Sequence, residues 1–355
     1  MTYFFTKMNF LKRKLTFNYR VIRSVVSHKL NKKHPVMASI SPTSKCNLDC
    51  AHCSLTKRIP KKEFTVQEII NIIDQISELK IPFCAISGAG EPLLHKNILE
   101  IGNYIQERGM KSLLNTNGTL ITKKLAKGLV RSYEIIIISL DGFEKTHDFI
   151  RGVKGSFKST IKGIKNLNLA KGNNLIGLSF VISKYNHKDL IPLTRYLLKE
   201  KIVDFMVINP VSGARSRLLL PSTKESLQTI EELKKIKKRN PKFIRPTSEF
   251  LNKIPLYIAG KKFVCDGLVQ FTITPTGDVL PCDWMDFPLG NIKNQTLKEI
   301  LNSKKLNEFE LRKKNCPGCL LECTIGISDI IKSNPLRMLK NFLIFVKNEY
   351  PLGLS

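Results

Sequence analysis

Apolar and polar positions along this 355-residue chain follow two alternating patterns. Short runs of consecutive apolar residues predict buried strands at 36–40, 83–87, 111–115, 134–140, 175–183 and 204–209. Between them, apolar residues return every three or four positions, which predicts helices at 66–79, 98–108 and 157–169. Such α/β alternation builds parallel sheets whose ligands bind at the carboxyl ends of the strands. Because the strands are too few for a closed barrel, we expect an open, partial β6/α6 TIM-like barrel over residues 36–215.

The two ends of the chain differ from the predicted barrel. Residues 1–35 form a basic leader without an acidic residue, and a helical spacing of apolar residues runs through it: Ile22, Val25, Val26 and Leu30. Such an amphipathic helix lies on an anionic membrane surface, or it packs on the domain with its basic face in solvent. Residues 331–355 predict a second, amphipathic helix that packs under the neighbouring domain or enters a lipid interface.

Residues 216–260 are expected to link the barrel to a smaller domain at 261–330. The linking segment is charged and irregular, and the run 231–239 predicts one solvated helix face. The smaller domain contains the C-terminal group of cysteines, so we expect it to hold a metal or a cluster.

The 58 basic residues outnumber the 29 acidic residues, which gives a formal net charge of +29. This excess attracts polyanions such as nucleic acid or anionic headgroups, although a lysine-rich composition alone produces the same balance. No apolar run approaches the roughly 18 residues that cross a bilayer, and the N-terminus lacks the apolar core of a secretion signal. We therefore expect a cytoplasmic protein, either free or peripheral on the cytoplasmic membrane face.

The first cysteine group is Cys46, Cys50 and Cys53, spaced C-x3-C-x2-C directly after the first strand. The cytosol keeps thiols reduced, so grouped cysteines indicate a metal or cluster site. Three thiolates hold three corners of an iron–sulfur cube and leave one iron open to a small molecule. A structural zinc site is the alternative, but zinc takes four protein ligands and no fourth lies close in the sequence. Cys84 stands alone in a predicted strand and is expected to be a small buried apolar residue.

This cysteine spacing, the strand before it and the stretches at 87–94 and 139–142 resemble the radical S-adenosylmethionine (radical SAM) superfamily. In that family the open iron of a three-cysteine 4Fe-4S cluster binds S-adenosyl-L-methionine, and one electron cleaves it to methionine and a 5′-deoxyadenosyl radical. The radical removes a hydrogen atom from an unactivated carbon. The resemblance thus implies an enzyme served by an electron donor of the flavodoxin or ferredoxin kind.

Residues Gly88, Ala89, Gly90 and Glu91 resemble the family's glycine-rich motif, whose backbone contacts the methionine amino group. Glycine lets backbone approach a ligand closely, and an acidic side chain suits an ammonium group. The family's usual glycine pair reads Ala89-Gly90 here.

Ser139, Asp141 and Arg151 lie in a stretch that resembles the fourth-strand signature of family members with an extra C-terminal cluster domain. By that resemblance, Ser139 and Arg151 hold the ribose and the carboxylate of the cosubstrate, since a guanidinium fits a carboxylate well. Asp141 belongs to the same pocket or is a turn residue at the strand end. Asn117, after the third strand, has the same two interpretations.

The second cysteine group is Cys265, Cys282, Cys316, Cys319 and Cys323. It resembles the SPASM/Twitch auxiliary-cluster domains, whose full pattern has seven cysteines and two clusters. The five thiols here imply one auxiliary 4Fe-4S cluster on Cys265, Cys282, Cys316 and either Cys319 or Cys323. A zinc knot is the alternative. A cluster with four thiolate ligands has no open iron and cannot chelate the cosubstrate. Its expected roles are therefore electron transfer or shaping of the substrate pocket.

Three substrate hypotheses follow. The leader, the tail and a similarity of residues 29–46 and 91–96 to adenosyl-hopene transferases favour a membrane lipid, which is the expectation we adopt. The SPASM resemblance favours modification of a ribosomal peptide or protein instead. A non-enzymatic nucleic-acid binder would leave the cysteine triplet and the strand-end motifs unused, so we expect no nucleic-acid partner.

Overall fold

The computed structural model describes residues 2–31, 34–53, 63–213, 216–282, 284–285 and 287–333. Its strands are β1 (Met37–Ile40), β2 (Phe83–Ile86), β3 (Lys111–Thr116), β4 (Ile135–Ser139), β5 (Leu175–Ile182), β6 (Phe205–Pro210), β7 (Gln270–Ile273), β8 (Asp278–Leu280) and β9 (Gly290–Asn291). Its helices are α1 (Thr2–Asn31), α2 (Val66–Glu78), α3 (Ile98–Glu107), α4 (Lys123–Ser132), α5 (Glu144–Arg151), α6 (Ser156–Ala170), α7 (Leu190–Glu200), α8 (Ser216–Leu219), α9 (Thr223–Arg239), α10 (Ser248–Ile258), α11 (Leu297–Leu301), α12 (Lys304–Arg312) and α13 (Ile327–Lys332). Every strand and helix predicted within the barrel is present, with each end within one residue of the prediction.

The nine described strands form one sheet in the order β6-β5-β4-β3-β2-β1-β7-β8-β9. Neighbours from β6 to β7 are parallel, and the two pairings beyond β7 are antiparallel. Since β6 and β9 are the two edges of this order, the described sheet does not close on itself, and the predicted partial barrel is confirmed. The pairing of β7 with β1 places both cysteine groups on one sheet.

Helix α2 shows how the sequence pattern produces the helix layer. Thr65 caps its amino end, because the Thr65 side chain accepts a hydrogen bond from the backbone of Glu68 and the Glu68 side chain accepts one in return. The following turns place Ile69, Ile73 and Ile76 on one face, where all three are fully buried in the main core. The apolar side of each such helix covers the outer face of the sheet.

Alternate residues of each strand point to opposite faces of the sheet. In β1, Ala38 and Ile40 pack into the helix-side core, whereas Met37 and Ser39 line the interior of the barrel. Cys84 of β2 lies on the helix side and is fully buried, and burial raises the pKa of its thiol to about 12. The prediction of a buried, apolar role for Cys84 is confirmed.

Helix α1 covers the amino ends of the barrel strands. Its Phe17 and Val21 side chains pack with Phe83 and Phe205, the first residues of β2 and β6. The rings of Phe17 and Phe83 meet edge to face with their centroids 5.3 Å apart. The leader is therefore a helix, as predicted. Its inner face is part of the apolar layer under the amino ends of the barrel strands, which we call the barrel floor.

Arg20 fastens this helix to the domain. Its guanidinium donates hydrogen bonds to the carbonyl oxygens of Ser77, Ile81 and Arg108 at 3.0, 3.2 and 2.8 Å. These contacts support the packed interpretation of the leader. Its outward face is apolar as well, since several large side chains there are exposed: Leu15, Tyr19, Ile22, Val26 and Leu30.

Residues 216–260 are helical rather than irregular, since α8, α9 and α10 occupy most of the segment. The prediction that 231–239 is a solvated helix face is wrong for its inner side. Leu233 is fully buried there, and Lys237 is only 5% exposed. The Lys237 amino group donates a hydrogen bond to the carbonyl oxygen of Ile244 at 2.8 Å, and this contact compensates part of the cost of burying a charge.

The predicted tail helix lies outside the described residues, apart from its first positions, 331–333. Among the described helices, none combines the length and the apolar content needed to cross a bilayer.

Replacing Phe17 with Ala should lower the free energy of unfolding by about 3 kcal/mol, because it opens a cavity between α1 and the barrel floor. Replacing the exposed Tyr19 with Ala should change it by no more than about 0.5 kcal/mol. Chemical denaturation of the two variants at equal cluster loading, followed by circular dichroism, measures the difference. Equal stability of the two variants would contradict the packing of α1 on the barrel.

Candidate active site

The cysteine triplet follows β1 at the carboxyl edge of the sheet, and the glycine-rich loop follows β2 beside it. Two hydrogen bonds join these loops: Ala89 N donates to Ser41 Oγ at 3.2 Å, and Glu91 N donates to the carbonyl oxygen of Lys45 at 2.8 Å. A side chain at residue 88 would prevent this approach. Gly88 has φ +112°, and a Cβ there would lie 1.9 Å from Ser41 Oγ. The motif therefore needs glycine at this position.

The Glu91 side chain connects the glycine-rich loop to the end of β3 through hydrogen bonds. Its carboxylate accepts hydrogen bonds from Thr116 Oγ1, Asn117 N and Leu93 N at 2.5, 2.8 and 3.1 Å. Burial raises the pKa of Glu91, and these donors act against the rise. Gly88 and Ala89 line the interior cavity, whereas the Glu91 carboxylate faces the end of β3. The Glu91 carboxylate thus positions the glycine-rich loop against the loop after β3. The backbone of Gly88 and Ala89 is left available to a ligand.

Asn117 supports the cysteine loop. Its side-chain amide donates to Asn47 Oδ1 at 2.8 Å, and its Oδ1 accepts from Thr119 N and Oγ1 at 3.0 and 2.7 Å. Asn47 lies between Cys46 and Cys50, so the end of β3 holds the loop that carries these thiols.

A buried ion pair ties the same loop to β4 and α5. Arg151 Nη2 lies 2.6 Å from Asp141 Oδ2, and Arg151 Nη1 donates to Cys50 Sγ at 3.7 Å. Asp141 Oδ1 also accepts a hydrogen bond from Val181 N of β5 at 2.9 Å. Burial acts to raise the pKa of Asp141, but the Arg151 charge and the other donors outweigh it and hold the pKa below its usual value. Asp141 is thus an ionised partner of Arg151.

The three thiols of the triplet lie near one another, but the charged groups beside them differ. Burial raises the pKa of Cys50, and the adjacent Arg151 guanidinium opposes that rise. Burial also raises the pKa of Cys46, and the charge of Cys53 adds to the rise in both cases. Soft thiolates grouped beside a guanidinium suit an anionic iron–sulfur cluster. The donor set therefore fits the cluster that the sequence pattern implies.

The interior of the barrel contains a cavity of about 680 Å³, within the usual range for small-molecule sites. Ser139, at the end of β4, lines it together with Gly88 and Ala89. Of the other predicted cosubstrate contacts, Gly90, Glu91, Asn117, Asp141 and Arg151 lie around the cavity wall without lining it. Gly88, Ala89 and Ser139 are therefore the predicted cosubstrate contacts that face this cavity.

The five C-terminal thiols lie near one another, and one of them lines this cavity. Burial raises the pKa of Cys319, and the charges of the other four thiols raise it further: Cys282, Cys265, Cys316 and Cys323. Cys319 N donates to the carbonyl oxygen of Phe263 at 3.1 Å, which packs the 316–319 turn against the segment that carries Cys265. Cys323 also lines the cavity. All five predicted ligands thus form one group, in which Cys319 is central.

No three cysteine, histidine or acidic side chains of the described residues lie close enough together to hold a single metal ion. A cluster of several irons keeps its thiolate ligands farther apart than one ion does. The arrangement of the two thiol groups is compatible with clusters of that size.

A charged trio beside the auxiliary thiols was not anticipated from the sequence. It consists of Lys237 of α9, Arg245 of the following loop and Glu322, which directly precedes Cys323. Burial raises the pKa of Glu322 to about 7, against the effect of the two cations. Burial and the Arg245 charge lower the pKa of Lys237 to about 8. Glu322 is far from Lys237 and Arg245 in the sequence, so only the fold brings the three residues together.

Replacing Arg151 with Met should raise the pKa of Cys50 further, because the charge that opposes the effect of burial is removed. The reactive thiolate of Cys50 should therefore form only at higher pH in this variant. Alkylation of Cys50 in the apoprotein by iodoacetamide, followed by mass spectrometry across pH, measures it. Arg151→Lys should restore part of the reactivity at low pH, and Arg195→Met on exposed α7 is the matched control. An unchanged alkylation profile in Arg151→Met would contradict the contact.

Comparison with known proteins agrees with this geometry. The family model of the radical SAM superfamily matches residues 40–197, and that of an iron–sulfur cluster-binding domain, SPASM, matches residues 265–324. These ranges contain the two thiol groups described above.

The AdoMet-dependent heme synthase of Methanosarcina barkeri is 27% identical over 328 residues, which is 82% of this chain and 93% of that protein. The subtilosin biosynthesis protein AlbA of Bacillus subtilis is 28% identical over 288 residues, or 78% of this chain and 61% of AlbA. The crystal structure of Streptococcus suis SuiB bound to S-adenosylmethionine shares the fold with a TM-score of 0.65 and 19% identity, over 89% of this chain and 79% of SuiB. This chain is a radical SAM enzyme with a C-terminal SPASM domain, and its cofactors are S-adenosyl-L-methionine, a 4Fe-4S cluster and an auxiliary iron–sulfur cluster.

Proposed function

We propose that this radical SAM enzyme abstracts a hydrogen atom from a side chain of a porphyrin bound in the barrel cavity. The observation that carries the proposal is that one cavity joins the predicted cosubstrate contacts, Gly88, Ala89 and Ser139, to the auxiliary thiol Cys323. A substrate there lies between the two sites that the family's chemistry requires.

In this proposal Cys46, Cys50 and Cys53 hold the 4Fe-4S cluster, and the backbone at Gly88 and Ala89 and the hydroxyl of Ser139 receive S-adenosyl-L-methionine. When bound, that pair supplies the one-electron cleavage that yields a carbon radical able to take hydrogen from an unactivated carbon. The chain's own residues set the geometry. Arg151 is a positioning residue, because it holds Cys50 and Asp141 rather than facing the cavity.

The C-terminal thiols hold the auxiliary cluster, which when bound supplies an electron acceptor or donor next to the substrate. Cys319 and Cys323 differ in their surroundings, since Cys319 is the centre of the thiol group and Cys323 also faces the cavity. We propose Cys265, Cys282, Cys316 and Cys319 as the ligands.

Similarity to a heme synthase over 82% of this chain and 93% of that protein supports a porphyrin. The inner wall supports it as well. Phe83, Leu113 and Phe205 give the cavity an apolar floor, and Ser39, Ser87 and Asn115 make it polar nearer the strand ends. Such a cavity suits a largely apolar ring system that carries polar side chains.

A peptide is the second candidate, favoured by the similarity to AlbA, a subtilosin biosynthesis protein. The lipid substrate that the leader led us to expect is the third. The observation that favours it is the exposed apolar stripe on α1, flanked by the exposed Arg23 and Lys29. Neither relative reported above is named for lipid chemistry, so we rank a lipid below the porphyrin and the peptide.

Replacing Cys46, Cys50 or Cys53 with Ala should abolish formation of 5′-deoxyadenosine while the auxiliary iron stays in place. Each substitution removes one of the three thiolates that the catalytic cluster requires. Iron analysis and chromatography of the anaerobically reconstituted variants test this. Cys84→Ala, in the helix-side core, should retain activity. Continued 5′-deoxyadenosine formation in any triplet variant would contradict the assignment.

Deuterium tracing tests the substrate. With iron coproporphyrin III deuterated on its propionate side chains, the 5′-deoxyadenosine formed should gain deuterium, because the abstracted atom ends in that product. Parallel reactions with a deuterated peptide encoded beside this chain, and with deuterated polyprenyl lipid in anionic vesicles, separate the other candidates. Deuterium from the peptide or the lipid, and none from the porphyrin, would overturn the proposed substrate.

A further inference from the structure

One face of α1 is apolar and exposed, although the opposite face of the helix packs on the barrel. The packed face contains Phe17, Val21 and the buried Arg20, whose contacts attach the helix to the domain. On the exposed face, large apolar side chains recur every three or four residues and are 48–82% exposed: Leu15, Tyr19, Ile22, Val26 and Leu30. We call these residues the outer stripe. At 1.5 Å per residue the outer stripe is about 22 Å long, and so regular an exposed apolar patch indicates an interaction surface.

Positive charge lies along both edges of the outer stripe. With a rotation of about 100° per residue, Arg23 follows one edge and Lys29 the other, and both side chains are exposed. The helix itself contains no acidic residue, since the first one in the chain is Asp49. An acidic side chain of the domain that contacts α1, Glu134, lies 3.7 Å from Arg13 on the packed side. An apolar line between cations is typical of a helix that lies in the headgroup region of an anionic membrane.

A lipid surface fits this face better than a second copy of the chain. Two copies that meet on the same face would bring together two helices without acidic residues, and like charges across an interface are unfavourable. On a membrane, the apolar side chains enter the boundary of the acyl region, and the flanking cations meet anionic headgroups. The outer stripe is one residue wide, so its partner must adapt its own surface to it, as lipids do.

We propose that the outer stripe docks this enzyme on an anionic membrane surface, with the barrel floor toward the lipid. The helix covers the amino ends of the barrel strands, whereas the cysteine triplet and the glycine-rich loop follow their carboxyl ends. The docked enzyme therefore presents its active site away from the bilayer. In this arrangement the outer stripe attaches the enzyme and delivers no lipid to the cysteine triplet. The inference goes beyond the proposed function and does not rest on the identity of the substrate.

Flotation of the reconstituted full-length enzyme tests the inference, with vesicles of phosphatidylglycerol and phosphatidylcholine in equal parts and with vesicles of phosphatidylcholine alone. The wild type should bind the anionic vesicles more tightly. The double variant Ile22→Ser/Val26→Ser should weaken that binding by roughly 10- to 100-fold, because two apolar side chains no longer enter the membrane. Arg23→Gln/Lys29→Gln should weaken it by up to roughly 30-fold and leave binding to phosphatidylcholine unchanged, because the cations act on anionic headgroups.

The matched control is Leu169→Ser/Leu311→Ser, which removes two exposed leucines from α6 and α12 and should bind vesicles as the wild type does. Circular dichroism and 5′-deoxyadenosine formation in the absence of vesicles should be the same for all variants, which separates a loss of docking from a loss of fold. An equal loss of vesicle binding in the control would overturn the inference, because the outer stripe would then have no special role.

Other occupants of the outer stripe give different results. If Ile22→Ser/Val26→Ser binds vesicles like the wild type, the apolar docking is wrong. A change of oligomeric state in sedimentation would then identify a second copy as the occupant, and faster hydrogen exchange of residues 334–355 would identify the tail. Saturating anionic vesicles should leave the KM of the wild type for S-adenosyl-L-methionine unchanged, since the active site faces away from the lipid. A raised KM would overturn the proposed orientation.

Discussion

The arrangement of the active site depends on the buried ion pair of Arg151 and Asp141. It joins α5 to the end of β4, and the free arm of the guanidinium reaches Cys50. Loss of either partner would leave the other charge buried without its counter-charge. This would lower the free energy of unfolding by about 3–5 kcal/mol. Backbone hydrogen bonds from Asp49 N and Ala51 N to the last turn of α5 continue the attachment. The cysteine loop is thus attached to α5 and, through Asp141, to the end of β4, which fixes the position of Cys50.

The two ends of the barrel differ in the polarity of their side chains. At the amino ends, α1 places Phe17 and Val21 under the strands and completes an apolar floor. At the carboxyl ends, hydroxyl and amide side chains and the glycine-rich backbone surround the space for polar ligands. Polarity therefore changes along the barrel axis, and a substrate is oriented by its own distribution of polar and apolar groups.

The sequence predicted most of the fold, because strands and helices of the barrel follow strict hydrophobic periods. It also singled out Cys46, Cys50 and Cys53 as the proposed cluster ligands, since they are neighbours in the chain and their spacing is itself the signal. Where prediction failed, contacts were non-local. Lys237 belongs to a run of charges that looks solvated, but its face of α9 is buried by packing against α10, which the run itself does not indicate. Arg245 lies in no motif, and the cysteine spacing around Glu322 says nothing of that side chain, so nothing local marks either residue as part of the cavity.

The pairing of β1 with β7 constrains how the two halves of the enzyme cooperate. Ile40 and Ile273 are in register at the ends of these strands, and Ser41 N donates to the carbonyl oxygen of Ile273 at 2.9 Å. The segment that carries the first thiol group and the segment that leads to Cys282 thus leave the same sheet side by side. Their separation is set by backbone hydrogen bonds rather than by a flexible linker. Electron transfer and shaping of a pocket both need such a fixed distance, whereas a hinge between the halves would break the continuous sheet.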